Sequence, residues 1–115
     1  MSSTHSEIPA TVVRTDEVEW RFSAPGVSKK VLRSDEQTGE STLLLRFEPG
    51  ASYPNHNHPG GEEIYVLEGD LRLSKIKLKV GDYLNTPPEG THSVYSKAGC
   101  IVLLRLSKPI VILKD

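Results

Sequence analysis

Apolar and polar residues alternate along this chain in short runs, each cut off by glycine, proline or acidic residues. In the run 41–47, Leu43, Leu45 and Phe47 alternate against Leu44 and Arg46. In the run 62–67, Ile64 and Val66 keep phase with Glu62, while Tyr65 and Leu67 keep phase with Glu63. A two-residue period places successive side chains on opposite faces of an extended strand. No segment sustains a 3.6-residue period between turn signals, so the pattern predicts strands and little or no helix. Strands are expected at 18–22, 27–33, 41–47, the stretch after Gly50, 62–67, 71–73, 76–80, 83–86, 92–95, 101–106 and 110–113. Turns are expected at 24–26, 35–39, 48–50, 59–61, 68–70, 81–82 and 87–90. Glycine accepts positive φ there and proline fixes its own φ. Both faces of 62–67 are largely apolar, which predicts burial on both sides, as in the wall of a sandwich or barrel. Many short strands at turn spacing indicate an all-β barrel or sandwich.

Composition narrows the classes. A chain of 115 residues supports one core but not two. The polar, small residues of 1–10 read as a flexible N-terminal tail, leaving 11–115 as a single domain; His5 falls in the tail. Fourteen basic against fifteen acidic residues leave a formal charge of -1, which marks neither a nucleic-acid-binding nor an acidic-membrane surface. No apolar run reaches the ~20 residues of a membrane span. The opening residues lack the basic and apolar regions of a signal peptide. The single cysteine, Cys100, excludes an internal disulfide and a C-x-x-C motif, so the cytoplasm is the expected compartment. Cys100 precedes an apolar run and reads as a small buried hydrophobe.

The chemistry concentrates in the stretch 50–69, G-A-S-Y-P-N-H-N-H-P-G-G-E-E-I-Y-V-L-E-G. On an extended backbone His56 and His58 project to one face, whereas on a helix they would diverge by roughly 200°. A turn at Pro59-Gly60-Gly61 can return Glu62 beside them. The shared phase of Glu62 with Ile64 and Val66 favours it over Glu63. His92 is the only histidine further along. Neutral imidazole and ionised carboxylate are ligands of zinc, iron, nickel, manganese and copper, so His56, His58, Glu62 and His92 form a candidate metal site. Tyr53, Tyr83, Tyr95 and Arg46 are candidates to line a substrate pocket near it. Arg46 and Arg105 interrupt apolar strands; both are expected to face outward, and the alternative is that they point into the barrel to meet a carboxylate ligand.

The spacing Gly50-x5-His56-x-His58-x3-Glu62-x6-Gly69 resembles the first motif of the cupin family gap for gap. Gly81-x5-Pro87, with His92 five residues after the proline, resembles the second. Gly90 stands one position later than the usual P-x-G spacing, and Ser96 occupies the place of a frequent asparagine. The phrase H-P-G-G-E-E-I-Y-V-L-E-G, with P-G-V at 25–27 after Trp20 and A-G-C at 98–100, is similar to the cupin domain of ChrR-type anti-sigma factors. This resemblance implies a double-stranded β-helix (jelly-roll) barrel and a zinc site on His56, His58, Glu62 and His92. Two departures stand out: Ser74-Lys75 replaces an acidic pair, and the lead of about forty residues reads as tail and strands rather than a helical sigma-binding domain. The expectation is a stand-alone relative of the sensing domain.

Three functional readings follow. The first is a small cupin with one mononuclear 3-His/1-Glu site that binds or senses a small molecule. The second is an Fe(II)-dependent dioxygenase acting on a small diketone or aromatic substrate. The third is a metal-dependent isomerase or lyase in which the ion polarises a carbonyl oxygen. The family resemblance also implies a homodimer; no nucleic-acid or membrane partner is expected.

Overall fold

The computed structural model describes residues 9–113. Of the expected tail only Pro9 and Ala10 are described, and both are exposed without regular structure; His5 lies outside the described residues. A single 3-10 turn at Thr15–Glu17 is the one helical element among the described residues. Ten strands follow: β1 (Arg21–Ala24), β2 (Val27–Ser34), β3 (Ser41–Phe47), β4 (Ser52–His58), β5 (Glu62–Leu73), β6 (Ile76–Lys79), β7 (Tyr83–Thr86), β8 (Gly90–Tyr95), β9 (Cys100–Leu106) and β10 (Val111–Ile112). They form one antiparallel sheet in the order β1-β2-β3-β9-β5-β8-β4-β10, with β6 and β7 also paired to β5. The sheet curls so that its concave face encloses the core.

Register explains which residues fill that core. On β3, Leu43, Leu45 and Phe47 face inward, opposite Val31, Lys29 and Val27 of β2. The same row continues through Leu104, Val102 and Cys100 on β9. From β5, Ile64, Val66, Leu71 and Leu73 complete it, all buried. The two-residue period of the sequence is therefore the inside-outside alternation of one curled wall.

Two expectations are corrected by this arrangement. Residues 68–70 do not form a hairpin turn; β5 runs through them as one twelve-residue strand. A register shift between Val66 and Glu68 marks a bulge, and Gly69 adopts φ 74°. Together they bend the strand so that its first part pairs with β9 and β7 and its second with β6 and β8. A Cβ on Gly69 would stand 1.9 Å from the carbonyl oxygen of Gly99, so the bend requires glycine. The hairpin turn comes later, at Ser74–Lys75, where Ser74 takes φ 52°. The second correction concerns burial: Tyr65 and Leu67 are 43% and 40% exposed. At Tyr65 and Leu67 the curled sheet is covered on its concave face alone, so this apolar part of the outer face of β5 meets solvent.

Candidate metal centre

Each donor is carried by a strand whose register sets its place. His56 and His58 share the inner face of β4, and both are buried. β4 pairs with β8 so that His56 stands directly opposite His92. The turn at 59–61 then starts β5 with Glu62 pointing inward. The Gly61 amide bonds the His58 carbonyl at 3.0 Å. Gly61 adopts φ 82°, and a Cβ there would lie 2.8 Å from the Thr86 carbonyl oxygen, so the tight return depends on glycine. The outcome is a cluster in which one donor atom each of His56, His58, Glu62 and His92 lies within 4.8 Å of the others.

Two main-chain carbonyls orient the rings. His56 Nδ1 lies 2.6 Å from the Pro54 carbonyl oxygen, and His58 Nδ1 lies 3.0 Å from that of Gly90. A carbonyl only accepts, so each Nδ1 carries the proton and each Nε2 is left to act as a donor atom toward a metal. Loop 87–90 holds the Gly90 carbonyl in place: the Glu89 amide donates to the His58 carbonyl at 2.7 Å, and Asn57 Nδ2 donates to Glu89 Oε2 at 3.1 Å. Glu89 pays for this position with φ 67°, a strained conformation for a residue with a Cβ.

Charge inside the cluster is organised around Glu62. Its Oε1 lies 3.1 Å from His58 Nε2 and 3.4 Å from His92 Nε2. Burial alone would raise the Glu62 carboxyl, but the two imidazoles beside it outweigh burial and hold it below its ordinary value. Burial likewise lowers the His58 imidazole, yet the Glu62 carboxylate and the Gly90 carbonyl overcome that and raise it. For His56 burial wins and the pKa falls, assisted by the neighbouring His58 and opposed by the Pro54 carbonyl. Despite their proximity, His58 Nε2, Glu62 Oε1 and His92 Nε2 make no aligned hydrogen bond, although all three are buried. We read their mutual attraction as charge at short range rather than as directed hydrogen bonding. Buried polar atoms in this condition are costly, by about 1–3 kcal/mol each in protein series. The donor set fits a divalent transition ion. Donors at about 2.1 Å from one ion stand at most about 4.2 Å apart, so a small contraction suffices.

The remaining candidates divide between the inside and the outside of the sheet. Tyr53 lines the cavity and meets His56 edge-on, with ring centroids 5.2 Å apart. Tyr83 is exposed on the outer face, where its hydroxyl donates to Glu63 at 2.6 Å. Tyr95 is also exposed. Arg46 lies outside, 4.3 Å from the Trp20 ring centroid, because the alternation that turns Leu45 and Phe47 inward turns Arg46 outward. Arg105 bridges Glu40 and Glu63 on the same outer face. Cys100 is buried in the core, and burial pushes its thiol up to about 11. The pairing of His58 with the Gly90 carbonyl escaped sequence reasoning, since nothing in residue identity marks a carbonyl. So did Lys29, whose inward phase was readable from Val27 and Val31.

A cavity of about 400 Å³ opens beside the cluster. His56, Glu62 and His92 form one part of its wall, and Leu43, Leu45, Ile64, Val102 and Leu104 form much of the rest.

The family model described as ChrR Cupin-like domain matches residues 9–108. The anti-sigma-E factor ChrR of Cereibacter sphaeroides is 30% identical over 100 residues, covering 84% of this chain and 46% of that protein. The chain thus spans less than half the length of this curated relative. Among solved structures, SigE in complex with the anti-sigma ChrR, from Rhodobacter sphaeroides, matches at TM-score 0.71 and 27% identity, over 81% of this chain and 51% of that one. An acetylacetone dioxygenase from Acinetobacter johnsonii matches at TM-score 0.81 and 14% identity, over 100% of this chain and 84% of that one. At that identity the likeness concerns the fold.

Proposed function

This chain belongs to the ChrR cupin-like domain family, and from that footing we propose that it holds one divalent transition ion on His56, His58, Glu62 and His92 and binds or senses a small molecule in the adjoining cavity. The observation that carries this reading is the convergence of three buried, unbonded donor atoms, His58 Nε2, Glu62 Oε1 and His92 Nε2, on one point. Three imidazoles and a carboxylate suit zinc, iron, manganese, nickel or copper. Such an ion supplies a Lewis-acid centre at the cavity wall. The chain's own residues orient the donors: the Pro54 carbonyl holds His56 and the Gly90 carbonyl holds His58.

The test is metal content per chain after purification and again after stripping and reloading. About one equivalent of a single metal is expected, with loss in His92→Ala while the strand signal in circular dichroism persists. Less than about a tenth of an equivalent after reloading would sink the proposal.

A catalytic second reading draws on the cavity, which reaches three of the four donors and leaves room for a substrate beside them. Under it an iron-loaded dioxygenase consumes oxygen with a small diketone or aromatic substrate, whereas an isomerase or lyase turns over without oxygen. Oxygen uptake by the iron-loaded chain separates the two. The exposed apolar outer face at Tyr65, Leu67 and Tyr83 supports a homodimer in which a second copy covers it. Light scattering at micromolar concentration tests that assembly, and a monomer would refute it. Residues 11–115 are read as one folding unit, which predicts a single cooperative unfolding transition.

A further inference from the structure

The donor cluster accounts for one end of the cavity but not for its other polar feature. Lys29 lies on the inner face of β2, in phase with Val27 and Val31, and lines the cavity. It is the only lysine or arginine among the lining residues, and Glu62 is the only acid. Its neighbour Lys30 faces outward and is fully engaged there. The Lys30 Nζ donates to the Thr15 carbonyl at 2.5 Å and sits 4.7 Å from the Trp20 ring centroid. Lys29 makes no side-chain hydrogen bond or ion pair among the described residues.

Register separates this lysine from the donors. Lys29 pairs with Leu45, whereas Glu62 pairs with Leu106, which pairs with Ser41. Four residues along β3 correspond to about 13 Å at the usual strand rise. The cavity therefore has the donor cluster toward one end, Lys29, without a side-chain partner among the described residues, toward the other, and apolar side chains between them. The hydroxyls of Ser23, Ser34 and Ser41 are the other small polar groups on its wall.

We infer that the cavity takes an apolar small molecule carrying one anionic group, a medium-chain carboxylate in its simplest form, with the anion paired to Lys29 and the apolar body along Leu43, Leu45 and Val102. This rests on the reading above only in taking the cavity as the ligand site; the anion is held by Lys29 and not by the ion. An apolar body removes the wall from water, and the ammonium selects among apolar ligands by charge. An ion pair at a half-exposed lysine contributes up to about 1 kcal/mol, a factor of about five in affinity.

The test is calorimetric titration of the zinc-loaded full chain with octanoate and with octanol, repeated after the metal is stripped. Octanoate is expected to bind about fivefold more tightly than octanol in both forms. Lys29→Met should erase that preference, and Lys29→Arg should keep it. Equal binding of the two probes, or binding of neither, overturns the inference and assigns Lys29 the role of a stem that shields the wall with its head in water. A preference that survives Lys29→Met but vanishes on stripping places the carboxylate at the histidine cluster; that outcome overturns the role of Lys29 and upholds the metal centre. A chain that takes up no zinc yet still selects octanoate through Lys29 upholds this inference and overturns the metal centre.

Discussion

His58 is the most constrained side chain of the centre. It is fully buried, its Nδ1 is held by the Gly90 carbonyl, and its Nε2 faces Glu62. The consequence is a defined pH response. Glu62 is held low and stays ionised through the neutral range, and His56 is held low and stays neutral there. His58 is raised above 6.5, so in the metal-free chain a proton competes with the ion for its Nε2. Below the His58 pKa, apparent zinc affinity should fall by roughly tenfold per pH unit on this account alone, and above it this contribution should flatten. Competition titration of zinc against a chromophoric chelator from pH 6 to 8.5 measures it; an affinity unchanged across that range would refute proton competition at a raised His58. His56 and His58 were readable as a pair because a strand period puts i and i+2 on one face. The choice of Glu62 over Glu63 was readable for the same reason, from the phase of Ile64 and Val66.

β5 is the element on which the architecture turns. Its first half carries Glu62 to the cluster and its second half closes the sheet toward β6 and β8, and the bend between them depends on Gly69. Gly69→Ala should be severely destabilising, by more than about 3 kcal/mol, since it combines positive φ with a clash against a main-chain oxygen that cannot rotate away. Soluble yield and the midpoint of urea unfolding check this; a variant within about 0.5 kcal/mol of the parent would mean that β5 can straighten. A Glu-Gly-Asp triplet is read locally as a hairpin turn, and that reading failed here for a physical reason. The same glycine can bend a strand instead of ending it when a neighbouring backbone presses against it, and the Gly99 carbonyl is thirty residues away in sequence.

At the scale of the whole molecule, an ion held as proposed should act as a linchpin between β4, β5 and β8, because the four candidate donors come from all three strands. Free zinc at a hundredfold excess over its dissociation constant stabilises the folded state by about 2.7 kcal/mol, which for a domain of this size raises Tm by on the order of 10 °C. Differential scanning fluorimetry with and without chelator measures the shift; identical melting in both would refute a site built across strands. By itself the sequence determined the all-β class, the positions of most strands, the inner phase of β3 and β5, and the four donors as candidates, because alternation and motif spacing are local properties of an extended chain. Tertiary structure alone decided that β5 continues through Gly69, that the Pro54 and Gly90 carbonyls orient the histidines, that the Tyr83 hydroxyl meets Glu63 on the outer face, and that a cavity opens beside Lys29. Each of these depends on which distant strand lies alongside, and therefore on how one sheet curls back on itself.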